Sequence, residues 1–313
     1  MTRKRQGRLV GDDKEREEGM KRYIYKIGIL VAAVALLSGC VEQETTRTTS
    51  NIAFKPLIGH DTRAMESVPF PQDRNFKVWG VNQTSGQALI SGETINHTAN
   101  GWVSTQKWPL DMMRFEAYWP TDLPMEFNPA EGFQLRNFDC GKGDVDILVA
   151  TAIDDNEDDD VVVLSFDHIL SRVEFRMMHS LSEGMSVRLK KVRMVGYANK
   201  GDYNTVIPRD WLVDELDHTT VIFDAGDTDG IEILPGEAQY IGEEFYVIPQ
   251  ACIAALEVTY DVRYGEAGWI PETETIESLK TFWEPSKHYT YTVNLRMDKL
   301  THTTGISSWN NRN

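Results

Sequence analysis

"ALEVTYDVRY" (255–264) and "HYTYTVNL" (288–295) decide the fold class. In the first, Leu256, Val258, Tyr260, Val262 and Tyr264 alternate with Glu257, Thr259, Asp261 and Arg263. In the second, Tyr289, Tyr291, Val293 and Leu295 alternate with His288, Thr290, Thr292 and Asn294. Successive side chains of a strand point to opposite faces, so period-two alternation marks a strand with one face buried and one wet. Antiparallel sheets are built from such strands. "RVEFRMM" (172–178) repeats the pattern, with Val173, Phe175 and Met177 set against Arg172, Glu174 and Arg176.

Shorter strand candidates lie outward of these, at 75–81, 113–119, 145–150, 161–166, 219–224 and 243–249, parted by Gly, Pro, Asn and Asp clusters. "VRLKKVRMVGY" (187–197) changes phase between Val187 and Leu189 on one side and Val192 and Met194 on the other, which predicts a β-bulge. No stretch carries a long amphipathic helix. Roughly fourteen strands are too many for one sandwich and suit two in tandem. The chain is therefore read as all-β, with antiparallel sandwiches at 51–182 and 183–313 and a seam near "HSLSEG" (179–184).

The formal net charge of -16 sets nucleic acid aside as a partner, because phosphate backbones would repel so acidic a chain. Three cysteines make no disulfide framework, and Cys140 and Cys252 lack metal-ligand spacing. The third, Cys40, ends a different kind of segment. Lys21, Arg22 and Lys26 precede an apolar run over 27–37, and Leu37-Ser38-Gly39 leads into the cysteine. Basic residues, a short apolar run and small residues make a secretory signal peptide. The run is too short for a bilayer core of about 30 Å, which needs about 20 residues. The tetrapeptide ending at Cys40 resembles the bacterial lipobox, and acylation there would hold the protein on a membrane. The plainer alternative is an ordinary signal peptide with an accidental cysteine. Residues 1–19 are charged and patternless, so Met20 is read as the true start, 1–39 as upstream residues and signal, and 40–50 as a tether.

Several stretches resemble one family when taken in order: "FPQDRNFKVWG" (70–80), "DILVAT" (146–151), "LSFDHILSRVEF" (164–175), "YVIPQ" (246–250) and "WEPSKHYTYTVNL" (283–295). They are similar to fimbrillin-like proteins, the type V pilins of Bacteroidetes-type bacteria. Ser286 stands where that family usually has Gly, in the turn before the Tyr-x-Tyr strand. The resemblance implies two transthyretin-like sandwiches, export as a lipoprotein, and trimming after an arginine that removes the first strand. A strand from another subunit then fills the groove.

Carried onto this chain, the removable first strand is "NIAFKPLIG" (51–59), with Ile52, Phe54, Pro56 and Ile58 on one face. Pro56 lacks an N–H and predicts an edge position. Arg63 in "HDTRAME" (60–66) is the expected cut, with Ala64 the new N-terminus; Arg47 is the rival. Arg63 read as a plain loop residue suits an uncleaved anchor. The candidate donor strand is the tail, 301–313, whose apolar residues Ile306 and Trp309 differ in parity. The same tail also reads as the last strand of the second sandwich.

Other features carry less chemistry. "DDNEDDD" (154–160) lacks the spacing and central Gly of a calcium loop and reads as a solvated hairpin. "CGKGD" (140–144) is too short for a phosphate loop. His168 reads as a strand or turn residue, and no nucleophile elbow marks a triad. Trp79, Trp102, Trp108 and Trp119 could form a sugar-stacking face, or serve as core. No catalytic residue, cofactor or metal site is expected. The function expected is that of a fimbrial subunit on the outer membrane and cell surface, held first by a lipid anchor. Its partners are other pilin subunits and a host or bacterial surface ligand. The alternatives are an uncleaved anchor subunit and a monomeric surface lipoprotein that binds a glycan or host protein.

Overall fold

The computed structural model describes residues 50–59, 67–141, 143–155, 161–205 and 210–309. Met20, Cys40, Arg47, Arg63, Ala64 and residues 156–160 of the acidic run lie outside them. Among the described residues there are twenty-one strands and no helix. The first ten are β1 (Asn51–Ile58), β2 (Val68–Pro69), β3 (Asn75–Asn82), β4 (Ala88–Thr98), β5 (Gly101–Lys107), β6 (Met113–Trp119), β7 (Glu126–Asn128), β8 (Gly132–Asp139), β9 (Leu148–Asp154) and β10 (Val161–His168).

Seven of these strands and the short β2 wrap one core. β4, β3, β6 and β9 pair in that order, all antiparallel. β5, β1 and β10 form the opposite wall, with β2 beside the end of β1. The walls meet at two corners, where β4 turns into β5 and where the end of β10 meets β9. Phe54, Phe76, Phe115, Phe166 and Trp102 fill the space between, all buried, and most of their ring pairs meet edge to face.

The remaining strands are β11 (Ser171–His179), β12 (Met185–Tyr197), β13 (Lys200–Asn204), β14 (Asp210–Val213), β15 (His218–Asp224), β16 (Ile231–Ile233), β17 (Gln239–Val247), β18 (Ala251–Tyr264), β19 (Ile270–Phe282), β20 (Lys287–Leu295) and β21 (Leu300–Ser308). One sheet runs β17-β11-β20-β21 and faces another of order β15-β12-β18-β19, with β16 also on β12. The alternating residues supply the core: Val173, Phe175 and Met177 from β11; Leu256, Val258 and Tyr260 from β18; Tyr289, Tyr291, Val293 and Leu295 from β20. The phase change in β12 is a bulge at Lys190. Leu189 faces Tyr260 while Lys191 faces Thr259, its next neighbour, leaving Lys190 unopposed.

Three expectations are revised. The pairing is not wholly antiparallel, since β1 runs parallel to β10 and β11 parallel to β20. The strands change sheet between His168 and Ser171, upstream of 179–184, because β11 is laddered to β17 and β20. There are also more strands than alternation reveals. β19 is an edge strand on β18 with most of its side chains in solvent, so "IPETETIESLKTF" carries little apolar period. β7, β8, β13 and β14 form a small sheet drawn from both halves of the chain. Phe133, Leu135, Tyr203 and Trp211 from that sheet pack with Ile147, Ile169, Leu170 and Ile248 in a third cluster.

Cys140 lies in that third cluster and Cys252 in the core of the second sandwich, both as free thiols. Burial, with Asp139 adding to it, pushes the Cys140 thiol up to about 12, and burial raises Cys252 as well. Only a thiolate attacks an alkylating agent. Iodoacetamide at pH 8 should therefore leave the peptides holding Cys140 and Cys252 unmodified in the folded chain and label both after unfolding. Peptide mass mapping checks this, and labelling of either in the folded state would contradict the burial.

Candidate functional site

Every second side chain of β1 is buried. Ile52 is fully so, and Phe54, Pro56 and Ile58 follow on the same face. Phe54 meets Phe76 and Phe115 edge to face, with ring centroids 6.0 and 5.7 Å apart. Burying side chains such as Ile52, Phe54 and Ile58 contributes about 1.5–3 kcal/mol each. These side chains hold the strand from within, and main-chain ladders hold it along both edges.

β1 is thus not an edge strand, contrary to the inference from Pro56. From Ala53 to Ile58 it pairs with Val161–Phe166 of β10. On its other edge it pairs with β5 through Phe54 and with β2 from Leu57. Main-chain groups of alternate residues in a strand face opposite edges. Gly59 donates to the Phe166 carbonyl on the β10 side (2.8 Å), whereas the Pro56 carbonyl accepts from Phe70 on the β2 side (3.2 Å). The absent N–H of Pro56 therefore falls on the β5/β2 side, in the gap where β5 has ended and β2 begins. No ladder bond is lost there.

Withdrawing β1 would leave a slot the width of one strand. Its rims would be the freed main-chain groups of β10 on one side and of β5 and β2 on the other. Its floor would be the rings of Phe76, Phe115 and Phe166. An extended segment with apolar side chains at alternate positions fits such a slot, since the ladder supplies grip and the pockets supply register. Arg63 and Ala64 fall in the link between β1 and β2 and lie outside the described residues.

The tail is the outermost strand of its own sheet. β21 pairs with β20 from Leu300 to Ser308, and most of its side chains stand in solvent, Ile306 being 62% exposed. Trp309 behaves in the opposite way and is buried. Its indole stacks on His168 at 3.6 Å between centroids and on Tyr246 at 5.1 Å. Asp146 fixes the His168 ring through Nδ1, 2.9 and 3.0 Å from its two carboxylate oxygens. The main-chain N–H of Trp309 donates to the Ser286 carbonyl, and Ser286 Oγ donates to the carbonyl of His168. Ser286 takes a φ of +60°, a conformation that Gly adopts more readily. Gly143 is needed for the same junction. A Cβ there would sit 2.7 Å from the Tyr246 carbonyl oxygen, and Tyr246 N–H donates to the Gly143 carbonyl. The last described residue thus pins the second sandwich against the end of β10 in the first.

Other sequence candidates are resolved differently. Asp146 and His168 are a buried pair, and the hydroxyl of the nearby Ser286 bonds the His168 main-chain carbonyl and not the imidazole. Trp102 and Trp108 are core residues, Trp79 stacks on Tyr118 and Phe127, and Trp119 lies under the Arg74 guanidinium. Two of the four rings are thereby closed to a sugar, and the others already have neighbours on their faces. Sequence reasoning left the stacking role of Trp309 unread, because its partners lie 63 and 141 residues upstream (309 − 246 and 309 − 168).

Trp309→Ala should remove about 3–5 kcal/mol of stability, as expected for a buried aromatic cut to Ala. It should also speed amide exchange across β21 while β11 stays protected. Urea denaturation and hydrogen-exchange mass spectrometry check both effects. Unchanged exchange in β21 would mean that pairing with β20 holds the tail without the indole.

A family model described as fimbrillin-like matches residues 62–309. The fold is similar to that of a fimbrial protein from Bacteroides vulgatus, with a TM-score of 0.64 and 15% identity, covering 83% of this chain and 99% of that one. A candidate cell adhesion protein from Bacteroides ovatus gives 0.56 and 14% over 85% of this chain and 100% of the other. Another, from Parabacteroides distasonis, gives 0.55 and 10% over 83% and 97%. No curated protein matches the sequence. At these identities the structural likeness is one of fold, and the family model carries the assignment: the chain belongs to the fimbrillin-like family.

Proposed function

We propose that this protein is a structural subunit of a cell-surface fimbria, exported as a lipoprotein through Cys40 and assembled by strand exchange at the seat of β1. Its family is one of fimbrial proteins and not of enzymes. The observation that carries the reading is the construction of β1. It is an apolar strand at the end of the described chain, laddered along both edges, and joined to the rest by a short polar link containing Arg63. A cut after Arg63 would leave β1 with no covalent tie to its own seat. The tail 301–313, with Ile306 and Trp309, is the candidate donor, and to act so it must leave β20 and free its indole. Other subunits are then the partners, the outer membrane holds the precursor, and a host or bacterial surface molecule is the adhesion target.

One observation favours a second reading, that of an uncleaved anchor or a monomeric binding lipoprotein. Within the single chain the seat is filled by β1 and the tail is already docked through Trp309. The N-terminus of the protein taken from native cell surfaces separates the readings. For a polymerising subunit the chain should begin at Ala64, Arg63→Ala should abolish that terminus, and SDS-resistant polymers should vanish from a chain ending at Lys299. A chain that begins at acylated Cys40 and is monomeric on the cell would overturn the polymer reading in favour of the second.

A further inference from the structure

Glu174, Glu244 and His288 come from β11, β17 and β20, strands widely separated in sequence but adjacent in one sheet. Glu174 alternates with the core residues Val173 and Phe175, so it points away from the core, yet neighbouring side chains leave it only 7% exposed. One carboxylate oxygen, Oε1, accepts from Thr290 Oγ1 at 2.7 Å and lies 3.3 Å from Arg176 Nη2. The other, Oε2, faces His288 Nε2 at 3.4 Å. That nitrogen is buried and makes no well-formed hydrogen bond. Glu244 stands close enough that one atom from each of the three residues lies within 4.8 Å of the others. Arg172 contacts Glu244 through Nε, at 2.6 Å, and through Nη2, but both contacts fall on Oε2.

We propose that these three side chains form a binding site for a divalent transition ion of the zinc type. The separation of Glu174 Oε2 from His288 Nε2 is that of two ligands on a tetrahedral ion, about 3.4 Å for bonds of about 2.1 Å. An imidazole nitrogen selects zinc-like ions over calcium and magnesium, which take oxygen ligands. Thr290 and Arg176 hold Glu174 by its outer oxygen and turn the inner one toward His288, as positioning groups do around metal sites. Glu244, whose ligand atom lies within 4.8 Å of the other two, would close toward the spacing of about 3.4 Å that two tetrahedral ligands keep. Arg172 can keep Glu244 Oε2, its present partner, while Oε1 turns to the ion. Water completes a fourth position on the exposed side. Such an ion would tie β20, the strand that carries β21, to β11 and β17.

The test is calorimetric titration of the full chain with zinc sulfate, repeated with cobalt to read the ligand type from its absorption. One zinc ion should bind per chain, with the weak visible bands of nitrogen and oxygen ligands for cobalt. His288→Ala and Glu174→Gln should each weaken binding about 10–100-fold, and Thr290→Val should weaken it about 10-fold. Glu244→Gln, at an exposed rim, should weaken binding as well, and because it also removes the charge opposite Arg172, a urea melt of each metal-free variant separates ligand loss from misfolding. Absence of binding at about millimolar zinc, an intense near-ultraviolet thiolate band with cobalt, or wild-type affinity in His288→Ala would each overturn the site.

Discussion

β1 and β10 run side by side in the same direction, and this ladder closes the first sandwich. β10 pairs with β9 only at its last two residues and gives the rest of its length to β1. Without β1, that length of β10 would have a bare edge, and β5 would keep only its short ladder with β4 and the bonds that Ser104 and Thr105 donate to Glu93. The four inward side chains of β1 also complete the aromatic core around Phe76 and Phe166. One short segment therefore satisfies two rows of main-chain groups and one apolar floor. Buried main-chain groups that lose their partners are costly, so the seat demands an occupant with the same alternation.

The second constraint lies at the junction of the halves. Trp309, His168, Tyr246, Ser286 and Gly143 come from five places in the chain and meet there by stacking and main-chain bonds. The third hydrophobic cluster and the small sheet β7-β8-β13-β14 draw on both halves as well. The junction is therefore packed in the manner of a protein interior. A tail that left β20 would have to give up this packing, whereas β21 itself, with its mostly exposed side chains, gives up little beyond its ladder.

The alternating runs at 172–178, 255–264 and 288–295 were legible because each strand has one face on a core and one in water. The bulge in β12 was legible for the same reason, since a slip of one residue moves every later side chain to the other face. β19 was not, because an exposed edge strand has no buried face to write a period into the sequence. Pairing direction was not legible either. Nothing in "NIAFKPLI" distinguishes a parallel neighbour from an antiparallel one, and Pro56 misled because a strand interior can contain a gap between two successive partners. The grouping of Glu174, Glu244 and His288 depends on which strands neighbour β11, a fact of topology. Ser286 shows a finer case: it holds a left-handed turn without being Gly, while its hydroxyl bonds the His168 carbonyl.

The short link between β1 and β2 has a consequence in the language of effective concentration. While the link is whole, β1 meets its seat as part of the same molecule, at the millimolar or higher local concentration that a short tether enforces. A free strand of equal intrinsic affinity must reach that concentration to displace it. Severing the link alters none of the ladder bonds of β1 and none of its buried contacts. It turns β1 into an ordinary peptide ligand whose occupancy depends on dilution, and once it departs its return is bimolecular. The seat would then pass to whichever extended strand of matching alternation is most concentrated nearby.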